Sequence, residues 1–135
     1  MPHRDPFVGT WKMNPQRSDF DPNHSPSEGT MRFEREVDGY LMHAEGVCEG
    51  KYVEEQPIRF IFDGKQHTVP GASDVIALST RPNPNTIFVV ARRGDRTVGE
   101  ASYVVSPDGA TLTTTVSGID IQQRPFRTTV VWARQ

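Results

Sequence analysis

The sequence predicts an all-β domain: a single antiparallel up-and-down β-barrel of about ten strands with little helix, one domain spanning residues 1–135. Three observations lead there. Val, Ile and Thr number 32 against 10 for Leu and Ala together, and β-branched side chains suit a pleated, half-buried surface better than a helix. Short apolar runs recur between Gly, Pro, Asn and Asp turn signals, at 7–14, 29–37, 40–48, 57–62, 65–70, 74–80, 85–92, 97–105, 110–117 and 126–134. A meander this long leaves exposed edges if it stays open, so closure into a barrel is preferred to a sandwich.

Composition narrows the function classes. Fifteen Lys plus Arg against seventeen Asp plus Glu give a net charge of −2, which argues against a broad nucleic-acid or anionic-membrane surface. The longest uninterrupted apolar run, Ile87–Ala91, is far short of the roughly 20 residues of a membrane helix. The first residues lack a signal-peptide apolar stretch, so a cytoplasmic location is the expectation. A single cysteine, Cys48, precludes an intramolecular disulfide.

The turns allow register to be argued element by element. The first run carries Trp11 and is followed by Pro15–Glu28, rich in Pro, Asp, Asn and Ser, with room for a short helical turn from Pro15 to Phe20 and for a lid. Asp38 and Gly39 suit a two-residue type I′ turn, setting Val37 against Tyr40, Arg35 against Met42 and Phe33 against Ala44 on an inward face. Arg32, Glu34, His43 and Glu45 then share the outer face. Asp63 and Gly64 offer a second hairpin with Ile58, Phe60 and Phe62 inward and His67 opposite Phe60. Gly94 and Asp95 suit a type II′ turn pairing Val89 with Glu100, which puts Ile87, Val89, Ala91 and Glu100 inward. Ser106–Gly109 reads as a type I turn closed by a left-handed glycine, pairing Val104 with Leu112 and Glu100 with Val116. The last run alternates Phe126, Thr128, Val130 and Trp132 on one side.

The segment Phe7-Val8-Gly9-Thr10-Trp11-Lys12-Met13, with its Gly, any residue, Trp pattern, resembles the opening of lipocalins and fatty-acid-binding proteins, the calycin group. The stretch on through Asn14 to Ser18 and Phe20, the Phe62–Lys65 turn and the Ser106–Thr113 hairpin are similar to small bacterial lipocalin-like proteins. That resemblance implies a barrel whose Trp11 plugs one end, with an Arg near the last strand, Arg127 or Arg134, packed over it. The chain departs from fatty-acid-binding proteins in lacking a helix-turn-helix segment and a closing Arg, any residue, Tyr anchor. Haem-binding relatives carry a late axial histidine, whereas His3, His24, His43 and His67 all lie in the first half; no cofactor is expected.

The expected function is binding of a small, partly apolar and anionic molecule in the barrel interior, with no chemistry assigned. Arg35, a lone cation on an apolar face, is the candidate anion anchor, since a guanidinium holds a carboxylate with two bonds. Phe33, Met42, Phe60, Phe62 and Trp132 are the candidate walls, and Tyr40 and Glu100 the polar contacts. Two other classes stay open: a hydrolase or isomerase using Glu100 or His67 as base, and a cavity-free barrel that homodimerises through Phe88, Val90, Ala101, Tyr103 and Val105 on the outer face. Scattered His and one Cys give no metal-ligand spacing. The Arg93-Gly94-Asp95 tripeptide is accounted for by its turn.

Overall fold

A computed structural model describes residues 5–19, 26–48, 50–54, 57–69, 72–119 and 122–135. Eleven strands form one sheet: β1 (Gly9–Asp19), β2 (Pro26–Glu36), β3 (Gly39–Cys48), β4 (Lys51–Glu54), β5 (Ile58–Ile61), β6 (His67–Val69), β7 (Ala72–Asn83), β8 (Thr86–Arg93), β9 (Arg96–Val105), β10 (Thr111–Ile119) and β11 (Pro125–Arg134). The sheet runs β4-β3-β2-β1-β11-β10-β9-β8-β7-β6, every pairing antiparallel, with β5 also on β3. The first and last strands pair through Trp11 with Arg134 and Met13 with Trp132, which curls the meander on itself. Along the outer edge of β3, β4 pairs with Glu45–Cys48 and β5 with Gly39–Met42. Among the described residues no ladder joins β5 to β6, so a seam runs down the barrel where β5 approaches β7. Among them, too, no helix is long and apolar enough to cross a membrane.

The strand-rich architecture agrees with the sequence, and the differences are local. Lys51–Glu54, four exposed residues after Gly50 at φ 77°, form an additional short strand. No helical turn follows Pro15: β1 continues to Asp19, with a pairing irregularity against β11 between Asn14 and Asp19. There the Ser18 hydroxyl donates to the Asn14 carbonyl at 2.7 Å and accepts from the Val131 N–H at 3.0 Å. Phe20 and the centre of the supposed lid lie outside the described residues.

Register corrections have identifiable causes. The β2–β3 loop is Val37–Asp38, because Glu36 pairs with Gly39, and Val37 is 97% exposed rather than inward. Arg35 faces Tyr40 and Phe33 faces Met42, a shift of two that keeps the expected alternation of faces for the paired residues. Gly39 is a strand residue: a Cβ there would sit 1.7 Å from the Phe60 carbonyl oxygen, so the close approach of β5 demands glycine. The Asp63–Gly64 turn connects two strands that do not pair, since Phe60 lies against Tyr40 and His67 against Ala77.

The largest correction concerns β9. Gly94 has the positive φ of its turn, but Arg92 pairs with Thr97 and Ala91 with Gly99, leaving Val98 as an extra residue. At the strand's other end the loop is one residue longer than a three-residue turn, and Ser106 donates its N–H to the Thr111 carbonyl at 2.8 Å. Beyond Val98 the strand is therefore inverted relative to expectation. Ala101, Tyr103 and Val105 face inward, opposite Val116, Thr114 and Leu112, and Glu100 points outward, exposed, between Val90 and Ser117. Three of the five residues that motivated a dimer face are thus interior, with Phe88 and Val90 remaining outside.

Candidate functional site: the barrel lumen

One end of the barrel is closed by aromatic packing. Phe7, Trp11, Phe33, Tyr40 and Phe60 are fully or almost fully buried. Phe33 stacks on Phe60 at 6.0 Å, Phe60 meets Tyr103 edge-on at 5.2 Å, and Phe7 lies 5.5 Å from both Phe33 and Tyr40. Such pairs add about 0.5–1.5 kcal/mol each beyond area burial. Trp11 donates its indole N–H to the Phe7 carbonyl at 3.0 Å, and Arg134 lies 4.2 Å above its ring, so the arginine implied over the tryptophan is Arg134. Arg134 also donates to the carbonyls of Gly109 (2.7 Å), Val8 (2.9 Å) and Pro6, tying the N-terminal segment to the β9–β10 loop.

A charged cluster seals the outside of this plug. The Asp5 carboxylate accepts from the Tyr40 hydroxyl at 2.6 and 2.7 Å, from the Phe7 N–H at 3.0 Å and from Arg35. Burial pushes the Asp5 carboxyl up, but the Tyr40, Phe7 and Arg35 hydrogen bonds and the nearby Arg81 charge outweigh it and hold it below the ordinary carboxylate value. Burial, then the neighbouring carboxylate, raises the Tyr40 phenol strongly, which keeps it a donor. Arg81 lies over the rings of Tyr40 (5.2 Å) and Phe7 (5.8 Å) and donates to the Pro84 carbonyl at 2.8 Å.

Above the plug lies a cavity of about 320 Å³, within the range of small-ligand pockets. Phe60 and Tyr103 form its floor; Ile58, Val69, Val89 and Val116 form its walls. It exists because inward positions on three neighbouring strands are small: Ala77 and Ser79 on β7, Ala91 on β8, Gly99 and Ala101 on β9. Val116 faces inward beside Ala101 yet is 38% exposed, which marks apolar surface left uncovered inside the barrel. Residues of both seam strands, Ile58–Ile61 and His67–Val69, border the same space, so the cavity reaches the seam.

Besides Tyr103 in the floor, two polar side chains among the described residues face this space. Ser79 is buried, and His67, paired with the inward Ala77, shares its face. The His67 Nε2 lies 3.0 and 3.1 Å from the Asp63 carboxylate oxygens. That carboxyl is held below its ordinary value, first by the Lys65 N–H and then by His67.

The sequence-predicted residues divide accordingly. Phe60 lines the cavity, and Phe33 and Tyr40 stand behind it in the plug. Met42 is buried opposite Ile58, Phe62 packs edge-on to Tyr40 at 6.1 Å, and Trp132 is buried beside Gly29 and Met13, donating to the Thr114 hydroxyl at 3.1 Å. Arg35 is not enclosed: its side chain is 60% exposed at the plugged rim, in an ion pair with Asp5. Glu100 is adjacent to the cavity only through its strand, and also borders a shallow outer depression with Ser117 and Arg127. Sequence reasoning missed the small lumen residues Ala77, Ser79, Ala91 and Ala101. The available signal was small side chains at inward positions, which the inverted β9 obscured. Among the described residues no three His, Cys, Asp or Glu side chains are grouped to hold a metal.

No family model matches the chain, and no curated protein matches it. Its fold is similar to that of zebrafish ileal bile acid-binding protein complexed with cholic acid, with TM-score 0.64, 10% identity, and coverage of 96% of this chain and 99% of that one. It is similar also to As-p18, an extracellular fatty acid binding protein (TM-score 0.59, 15% identity, 97% of each chain). A third similar structure is the Schistosoma mansoni fatty acid binding protein in complex with arachidonic acid (TM-score 0.63, 16% identity, 96% of each chain). At these identities the likeness is one of fold: an antiparallel up-and-down barrel of the fatty-acid-binding-protein type.

Proposed function

We propose that this protein is a calycin-type carrier that binds a small, largely apolar molecule in the lumen above the aromatic plug. The observation that carries the reading is the concentration of small residues at inward positions of β7, β8 and β9, facing the large side chains of β5 and the floor. In a packed barrel those positions would hold Leu, Ile or Phe; here they leave about 320 Å³ of apolar hollow. At roughly 30 Å³ per water, that is room for about ten waters, or a ligand of about a dozen heavy atoms. The ligands named for two of the fold neighbours, cholic acid and arachidonic acid, are small and largely apolar, which supports this reading.

Nile red, an uncharged apolar fluorophore, tests the reading. Wild-type protein is expected to enhance its emission saturably with one site per chain, and Ala101→Trp, which fills the cavity from β9, to weaken binding at least tenfold while the β-sheet circular dichroism is kept. Absence of enhancement, or equal enhancement by the filled variant, would contradict a lumen site.

A further inference from the structure

The lumen's polar contacts specify more than apolar character. Resting on the reading that the cavity takes an apolar ligand, we propose that this ligand is uncharged, an alcohol or similarly neutral amphiphile whose hydrogen-bonding head sits between His67 and Ser79, and that carboxylates are disfavoured.

Donors and acceptors at the two side chains select the head group. An ionised carboxylate only accepts, so the His67 Nε2 that faces Asp63 at 3.0 Å carries the proton. In the neutral ring Nδ1 is then an acceptor. Ser79 lies on β7 two residues beyond Ala77, the direct partner of His67, and is therefore its diagonal neighbour on the same face. The backbones of diagonal neighbours are about 7–8 Å apart, close enough for their polar tips to converge on one ligand head group. A ligand hydroxyl donates to Nδ1 and accepts from the Ser79 hydroxyl, satisfying both.

A carboxylate fits poorly. It offers Nδ1 no proton, and Asp63 places a negative charge behind the ring. Among the described residues, three arginines that could be looked to for a counter-ion are engaged elsewhere: Arg59, at the seam, with Glu36 at 2.8 Å, Arg35 with Asp5 at the plugged rim, and Arg81 over Tyr40 and Phe7 on that same side. Burying an ionised group without a partner is costly enough to decide between two heads on the same chain.

Calorimetric titration of the full chain at pH 8 with 1-decanol and with decanoate tests this. Decanol is expected to bind at least tenfold more tightly, and both His67→Phe and Ser79→Ala to reduce that preference to threefold or less. Should His67→Phe fail to fold, Ser79→Ala and His67→Gln carry the same test. Decanoate binding as tightly as decanol, or a preference unmoved by folded variants, would overturn the inference while leaving the lumen site standing. Failure of both compounds to bind, together with absence of Nile red enhancement, would overturn the lumen site and this inference with it.

Discussion

At Asp5, burial and hydrogen bonding act in opposite directions on one carboxylate, and the hydrogen bonds win. Because its folded value is depressed below 3.8, the Asp5 cluster contributes stability that is fully present above the ordinary carboxylate range and lost as pH falls through the lower folded value. Its two partners should not contribute equally. Tyr40 is fully buried and its hydroxyl donates to the Asp5 carboxylate, so Tyr40→Phe removes a charge-assisted bond and should cost about 1.5–3 kcal/mol. Arg35 is 60% exposed, so Arg35→Met should cost about 0–1 kcal/mol, the range of a surface ion pair. Urea unfolding at pH 7 and pH 3 checks this contrast: the Tyr40→Phe deficit should shrink at the lower pH. Equal costs, or an Arg35→Met variant with altered Nile red affinity, would show that the guanidinium serves the lumen after all.

Strand positions were legible because β-branched runs and turn residues speak locally, whereas registers depended on single residues. Val98 shows why. One additional residue in β9 moves Glu100 from the lumen to the surface and brings Ala101, Tyr103 and Val105 inside, yet nothing in the local alternation of that run distinguishes the two arrangements. Gly39 illustrates the complementary error. Its dipeptide with Asp38 suggests a type I′ turn, but the constraint on it is the carbonyl of Phe60 on a neighbouring strand, a long-range fact. Gly39→Ala should therefore lower stability by about 3 kcal/mol, the upper end of overpacking costs, seen as a lower urea midpoint. A turn-only glycine at a negative φ would tolerate alanine within about 1 kcal/mol, and that result would contradict the close approach of β3 and β5.

Across the molecule, the two ends of the barrel do different work. Large aromatics brought together from β1, β2, β3, β5 and β9, with the N-terminal segment, close one end and carry the core, while small residues on β7, β8 and β9 leave the hollow beside the seam. The plug was largely readable, since Phe33, Tyr40 and Phe60 are conspicuous at alternating positions and Trp11 sits in a short motif. The hollow was not, because it is made of what side chains lack and depends on three registers being right together. The same small residues that weaken packing make the proposed site available, an expected exchange of stability for binding space.

The most direct measurement is a methyl NMR titration of labelled protein with Nile red. Because faces alternate, the account predicts shifts at Ala77, Val89, Ala91, Ala101 and Val116, with Val8, Val53 and Val104 unmoved. Shifts confined to the second set, or no saturable shift in the first, would contradict a ligand-binding lumen.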